Sequence, residues 1–558
     1  AGRRPPIPFT TVDRGSSAAP LPSTSSDSRS QFQTLTEAAP VVGLDPFSWT
    51  RISATILAFS LVWATAQWLA QPNLDRYHDM LESFAWSQTF EWGSFKHPPF
   101  FAWVTGAWFA LMPRTDFAFK LLAYANVGVG LLGVAALAKL SGLGRFALAA
   151  VVLLGLCLPY TTLAAKFNAN AQLLSVWPWA AAALFGSLTQ IGLRGFTWST
   201  LLGLLGAAAM LSKYYSGVFL LALFIAALSH PTATRWFASP RPWWALAVML
   251  VALIPHALWL QASGYAMLDY AFDQGGGRVN WMMTLRFALA PFFYWAPGWI
   301  ACALIFSWAG TGRLSATAIA RLLVKAWRPQ GWRDSLFWIA FTPWALSLGF
   351  GLSGLVELST PWAIPIGFAF PLLWLRNLIP DAHEPPLAAA IRQVGSPHLI
   401  RNVLLTVLIG SALLATAYAL IGQRDYYRPT EALALAIDED WRARHPGQTL
   451  GWSGGAWPDT SMMGFYIDAR IRALPGLPDS REASLAPHLR WPDQPGLLLC
   501  PSSDCAERMR SWLRARRLDD EGRVIRAQRS GWRFPKASPE SMIVFDVPPQ
   551  RPGDARPR

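Results

Sequence analysis

Asp75, Asp79 and Glu82 fall within eight positions, directly after an apolar run at 52–70. On a helix these three acids share a face, because residues three and four apart are neighbours. A carboxylate held against hydrocarbon costs free energy unless it is solvated or paired. The expected arrangement is therefore an acidic pocket at the bilayer surface. One carboxylate can take a proton from an attacking hydroxyl, and a second can orient it or hold a divalent cation. The plainer alternative is that the acids cap or solvate an interfacial helix. The same stretch continues into Lys96, His97, Pro98 and Pro99. Further along come Lys166 with Asn168 and Asn170, then Lys213 and Tyr214 in AAAMLSKYYSGVF, then His256 in PHALWL, Arg278 after three glycines, and Glu357. A lysine between apolar runs should face water, an acid or an anion, or else snorkel. Lys213, Lys166, Lys96 and Arg278 together could neutralise a phosphate. Each histidine taken singly reads more readily as a structural, backbone-bonded residue than as a metal or phosphate ligand. No pair shows the close helical spacing of a zinc site.

The elements that must carry these residues are membrane helices. The chain of 558 residues is 53% hydrophobic and 14% charged, with 30 Trp. Those values place it among integral membrane proteins. A formal net charge of +14 could suggest nucleic acid. The basic residues sit in short loops between apolar runs, however, so no nucleic-acid partner is expected. Apolar segments at 52–70, 121–137, 146–163, 173–188, 200–211, 218–228, 243–260, 292–306, 336–350, 361–375 and 403–420 predict about eleven spans. The pair around Lys213 is read as two half-length helices meeting at 212–216. With a cytoplasmic N-terminus, the inner loops hold Lys139 with Arg145, Arg194, Arg235 with Arg241, and Arg376, Arg392 and Arg401. The acidic first outer loop (71–117), Lys166 to Asn170, the 269–280 region, Glu357 and the C-terminal part then share the opposite side. Residues 1–46 read as a disordered cytoplasmic tail with no removable signal peptide. Residues 47–423 read as the membrane domain, and 424–558 as a soluble α+β domain with strands near 497–500 and 542–547 and a helix near 507–517. Cys500 and Cys505 flank PSSD and form either a disulfide outside the cytoplasm or two free thiols. Cys157 and Cys302 read as apolar packing residues.

The ordered series DMLESFAWSQ, GSFKHPPFFAW, AKFNANAQLLSVWPW, LSKYYSGVFLL, PHALWL and STPWAIPIGF resembles bacterial membrane glycosyltransferases of the GT-C fold, in the protein-mannosyltransferase-like superfamily. The nearest relatives by this resemblance are lipopolysaccharide galacturonosyltransferases, with the aminoarabinose transferases of lipid A more distant. The resemblance covers about 52–375. It implies a polytopic α-helical membrane protein with a C-terminal soluble α+β domain, and an inverting glycosyltransferase using a polyprenyl-phosphate sugar. The acceptor would be lipid A, lipopolysaccharide core or another cell-envelope glycan at the periplasmic face of the bacterial inner membrane. It also implies that Asp79 is the catalytic acid group of the first loop, with Glu82 beside it and Asp75 as competitor. Lys213 would bind the donor phosphate, and Lys96, His97, Lys166, Asn168, Asn170, Tyr214, His256, Arg278 and Glu357 would line the substrates. The chain departs from relatives that carry an acid where Asn168 and Asn170 stand, or a glutamate where Lys96 and His97 stand. Glu82, His97 and His256 are the candidate ligands for a divalent cation, if one is used. Other readings are a protein hydroxyl as acceptor, a flippase, or a non-catalytic lipid-binding subunit.

Overall fold

The computed structural model describes residues 2, 47–74, 79–273, 278–311, 316–378, 385–457, 459–480, 493–531, 534 and 536–549. Asp75, the glycines at 275–277 and nearly all of the expected tail lie outside these residues.

Among the described residues, eight helices are long and apolar enough to cross a membrane. They are α1 (Trp49–Ala70), α4 (Asp116–Leu140), α5 (Ala169–Thr189), α6 (Gly192–Ser212), α8 (Arg241–Ala262), α9 (Trp281–Thr311), α10 (Ser335–Leu352) and α11 (Pro397–Ile421). Between them lie the short α2 (Asp79–Ser87), α3 (Phe100–Phe109) and α7 (Ser216–Ser229). Each of the eight covers one of the apolar segments read from the sequence. The other three segments differ in form. Segment 146–163 is a broken pair, Gly144–Leu154 and Leu158–Ala165, bent by 79°. Segment 218–228 is the 14-residue α7, too short to span alone. Segment 361–375 opens as a 3₁₀ turn, Thr360–Ala363, before a short helix, Phe370–Leu378.

Small residues and polar side chains hold these helices together, as expected where lipid removes the hydrophobic drive for association. A Cβ at Gly130 of α4 would collide with the carbonyl of Leu174 in α5, and one at Gly203 of α6 with that of Ala245 in α8. Asn126 ties α4 to α5: its Nδ2 donates to the Ala171 carbonyl at 2.7 Å, and its Oδ1 accepts from Gln172 at 3.1 Å and Ser175 at 2.6 Å. Asp334 caps α10 through the Phe337 amide at 3.1 Å. It also takes both nitrogens of the Arg376 fork, at 2.6 and 2.7 Å.

After α11 the chain builds α12 (Thr430–Arg444) and a five-stranded sheet: β1 (Trp452–Gly455), β2 (Arg472–Ala473), β3 (Gly496–Cys500), β4 (Arg523–Ala527) and β5 (Glu540–Val547), in the order β2-β1-β3-β5-β4. β1 pairs in parallel with β2 and β3, and β5 runs antiparallel to β3 and β4. Strand β3 is buried along its whole length. Its alternate residues point to opposite faces. Leu498 and Cys500 pack with Met509, Trp512 and Leu513 of the Ser503–Ala515 helix. Leu497 and Leu499 join the core that includes Leu433 and Ile437 of α12 and continues into the membrane helices. A disulfide joins Cys500 to Cys505, from the end of β3 to the start of that helix. Cys157 and Cys302 are free and buried.

The Asp334 side chain is fully buried and that of Arg376 only 17% exposed. Asp334→Ala removes a cap and strands the guanidinium, and breaking a buried pair costs about 3–5 kcal/mol. A markedly lower thermal midpoint in detergent is expected, with a smaller loss for the double change Asp334→Leu, Arg376→Met. Equal losses would show that the pair itself matters little.

Candidate active site

Helix α2 begins at Asp79 and carries Glu82 in its first turn, where carboxylates are favoured by the unpaired amides and the helix dipole. Ser83 of α2 donates to the Phe167 carbonyl at 3.3 Å and so brings the loop before α5 alongside. In that loop Asn168 caps α5: its Oδ1 accepts from the amides of Asn170 at 2.9 Å and Ala171 at 3.0 Å. The same side chain donates from Nδ2 to Asp79 Oδ2 at 3.0 Å. Lys166 Nζ lies 3.5 Å from that oxygen. The Asp79 side chain remains 28% exposed, so it can still be reached from solvent.

Two residues past the cap, Asn170 Oδ1 accepts from Lys213 Nζ at 2.7 Å. Lys213 stands in the connection between α6 and α7, with its ammonium 5.2 Å from the Trp362 ring centre. Burial, and Lys96 nearby, pull Lys213 down to about 7, while Asp79 pulls it back up. One capping turn thus holds an acid on one side and a partly buried lysine on the other.

Ser94 folds the first outer loop back on itself by accepting from the amides of Lys96 at 3.3 Å and His97 at 3.0 Å. Lys96 Nζ then reaches both oxygens of Glu82, at 3.0 and 3.2 Å. Glu82 is buried, at 6% exposure. Burial raises its pKa, and Lys96 and a bond from Trp457 oppose that rise. With both oxygens engaged, Glu82 is placed to orient Lys96 rather than to accept a substrate proton. His97 packs edge-on to Trp86 and Phe101. Burial and the charges of Lys213 and Lys96 push it well below the usual imidazole range, so the ring is neutral. His256 Nδ1 donates to the Trp92 carbonyl, which can only accept. Its Nε2 therefore accepts from Tyr214 Oη at 2.6 Å. That histidine is a neutral strut between the first loop and the α6–α7 connection, as the structural alternative expected.

These placements bear on a metal. Glu82, His97 and His256 do not converge, and among the described residues no three His, Cys, Asp or Glu side chains gather to hold an ion.

Arg278 and Glu357 fall outside the cluster. Both are exposed; Glu357 accepts from Asn280 at 2.8 Å, and the Arg278 backbone lies against Gly354. Neither bonds to Asp79, Glu82 or Lys213. Two contributors escaped the sequence reading. Lys120, fully buried in α4, donates to the Leu74 carbonyl at 2.5 Å and the Ala165 carbonyl at 3.5 Å, gripping the chain just before both outer loops. It directly precedes the apolar run at 121–137, which was its only signal. Trp457, from beyond β1, donates to Glu82 Oε1 at 2.9 Å and stacks on Trp86 at 5.9 Å. Nothing in its local sequence marks it.

A structure of ArnT from Cupriavidus metallidurans bound to undecaprenyl phosphate superposes with a TM-score of 0.52 over 91% of this chain and 99% of that one, at 16% identity. The chain has the GT-C fold. The apo state of ArnT from the same organism gives a TM-score of 0.48 over 88% and 93%, at 13% identity. Residues 96–259 match the family described as dolichyl-phosphate-mannose-protein mannosyltransferase. That span includes Lys96, Lys166, Asn168, Lys213 and His256 of this GT-C chain, and begins after α2, so Asp79 and Glu82 lie outside it. No curated protein matches the sequence.

Asn168→Asp retains the cap, since Asp caps as well as Asn, but turns a donor to Asp79 into a second carboxylate. Like charges at that distance raise the pair's pKa in the folded state, so stability is lost as pH rises and regained as one carboxyl takes a proton. The thermal midpoint of the variant should fall below wild type at pH 8 and recover toward pH 4. Parallel pH profiles would mean that Asn168 does not hold Asp79.

Proposed function

We propose that the chain is an inverting membrane glycosyltransferase that moves a sugar from a polyprenyl-phosphate carrier to an acceptor hydroxyl. The carrying observation is the α5 capping turn, where Asn168 and Asn170, two residues apart, hold a solvent-accessible Asp79 and a partly buried Lys213. In this reading the acceptor oxygen attacks the anomeric carbon from the face opposite the phosphate. Asp79 takes the hydroxyl proton, the bond from the anomeric carbon to the phosphate oxygen breaks, and the lipid phosphate departs with the electron pair. Lys213, with Lys166 near the same carboxylate, stabilises the charge that develops on the phosphate. Trp86 and Trp457 wall the approach. The fold shared with a structure that holds undecaprenyl phosphate supports a polyprenyl carrier.

We place the protein in a bacterial inner membrane, with the N-terminus cytoplasmic and the Asp79 cluster and sheet domain periplasmic. The disulfide at Cys500 supports that side, because such bonds persist in oxidising compartments. Lipid A, lipopolysaccharide core or another envelope glycan is the proposed acceptor. A protein hydroxyl is the second reading, drawn from the family matched by 96–259.

Asp79→Asn should lower transfer from an undecaprenyl-phosphate sugar on the order of 10²–10⁴-fold without changing the thermal midpoint. Full activity would remove Asp79 from the mechanism. A sugar phosphodiester stays anionic across the working range, so donor affinity should follow the protonation of Lys213. Binding should hold below about pH 7 and weaken as pH rises above it, with the slope flattened in Lys213→Arg. An affinity independent of pH in the wild type would take Lys213 out of the phosphate site.

A further inference from the structure

Arg51, Arg145 and Arg392 line one pocket, together with Ser48, Gly144 and Gly395. It lies where α1 starts. The Asp79 cluster lies past the other end of α1, about 33 Å away for a helix of that length. The two features therefore sit at opposite membrane faces. Arg51 donates to the Gly395 carbonyl at 3.0 Å, which joins the two sides of the pocket. The Arg145 guanidinium lies 4.8 Å over the Phe146 ring, and its Nε is buried without a hydrogen-bond partner. Among the described residues neither Arg145 nor Arg392 pairs with a carboxylate.

One turn deeper on the same helices is an apolar cavity of about 450 Å³. Thr55 and Phe59 line it, four and eight residues on from Arg51. So do Val152 and Val394, which follow Leu148 and Ile391 of the first pocket by four and three residues. Residues three and four apart lie on one helix face, so the arginine-lined pocket adjoins that cavity.

We propose that the two cavities are one binding site for an anionic phospholipid of the leaflet opposite Asp79. The planar guanidinium forks take the phosphate oxygens, and an acyl chain enters the apolar cavity. Basic residues alone at this face would only satisfy topology. Two guanidiniums without a carboxylate among the described residues, those of Arg145 and Arg392, stand beside an apolar cavity and match a lipid with a charged head.

The test uses the full chain, delipidated in detergent, and native mass spectrometry with dioleoyl phosphatidylglycerol, dioleoyl phosphatidylcholine, undecaprenyl phosphate and inorganic phosphate. Phosphatidylglycerol should bind at least about tenfold more tightly than phosphatidylcholine. That preference should vanish in the double variant Arg145→Gln, Arg392→Gln, with the lipid-free thermal midpoint unchanged. Equal binding of the two phospholipids, or an unaffected double variant, overturns the proposal. So does inorganic phosphate competing as well as the lipid, or undecaprenyl phosphate displacing phosphatidylglycerol at equal concentration. Should the double variant fail to fold, Val407→Trp fills the cavity and leaves the arginines in place. It should weaken phosphatidylglycerol binding to a similar degree, and unchanged binding would sink the idea.

Discussion

A single amide, that of Asn168, divides its oxygen and its nitrogen between two obligations. The oxygen satisfies backbone amides that α5 would otherwise leave orphaned. The nitrogen steadies a carboxylate at the edge of the membrane. Neither bond is strong alone, but each removes a freedom the other needs removed. With the cap formed, Nδ2 can point in few directions, and Asp79 occupies one of them. Asn170 follows at fixed helical offset and receives Lys213. The bonds to acid and cation are thus set two residues apart by the start of α5. An aspartate at 168 could cap but could not donate. The asparagine does both.

The cluster is not closed by the membrane helices alone. Phe465, after β1, packs among Phe84, Phe109 and Phe119 at 5.1 to 5.7 Å. Gln88 at the end of α2 bonds to the Ile471 carbonyl at 2.6 Å and accepts from the Ala473 amide at 3.1 Å. Tyr466 donates to Asp116 at 2.6 Å, at the first turn of α4. These contacts press the sheet domain onto the first outer loop and deliver Trp457 to Glu82. Lys120 grips the same loop from below. A short helix such as α2 has little stability of its own, so its position depends on these two supports.

The membrane helices were legible because apolar runs of the required length leave few alternatives; all eight long helices cover runs visible in the sequence. The broken pair at 144–165 was not, because a bend changes geometry without changing hydropathy. Asp79, Lys166, Asn168 and Lys213 could be named from their type and depth, and the fold brings them together. Arg278 was grouped with them on side alone, and side does not determine distance across a loop-rich surface. Trp457 was invisible for a different reason: it reaches Glu82 across 375 positions. Only the packing of the β-sheet domain on α2 creates that contact, and no local pattern encodes it. Residues that act through tertiary docking are hidden from a reading that proceeds by neighbours.

The distribution of polar groups with depth also separates the enzyme reading from transport. A carrier path needs polar groups at mid-membrane that can exchange partners as cargo passes. Asn126, Gln172 and Ser175 lie between α4 and α5 at the right place, but their donors are directed at one another and at the Ala171 carbonyl. They join two helices that already touch closely at Gly130. Opening them to solvent would break the packing that positions the α5 cap, and with it the bonds to Asp79 and Lys213. The structure commits this mid-depth polarity to rigidity and sets Asp79 and Lys213 beyond the ends of the long helices. That partition suits chemistry on a lipid headgroup that arrives along the membrane surface better than passage of a headgroup through the helices.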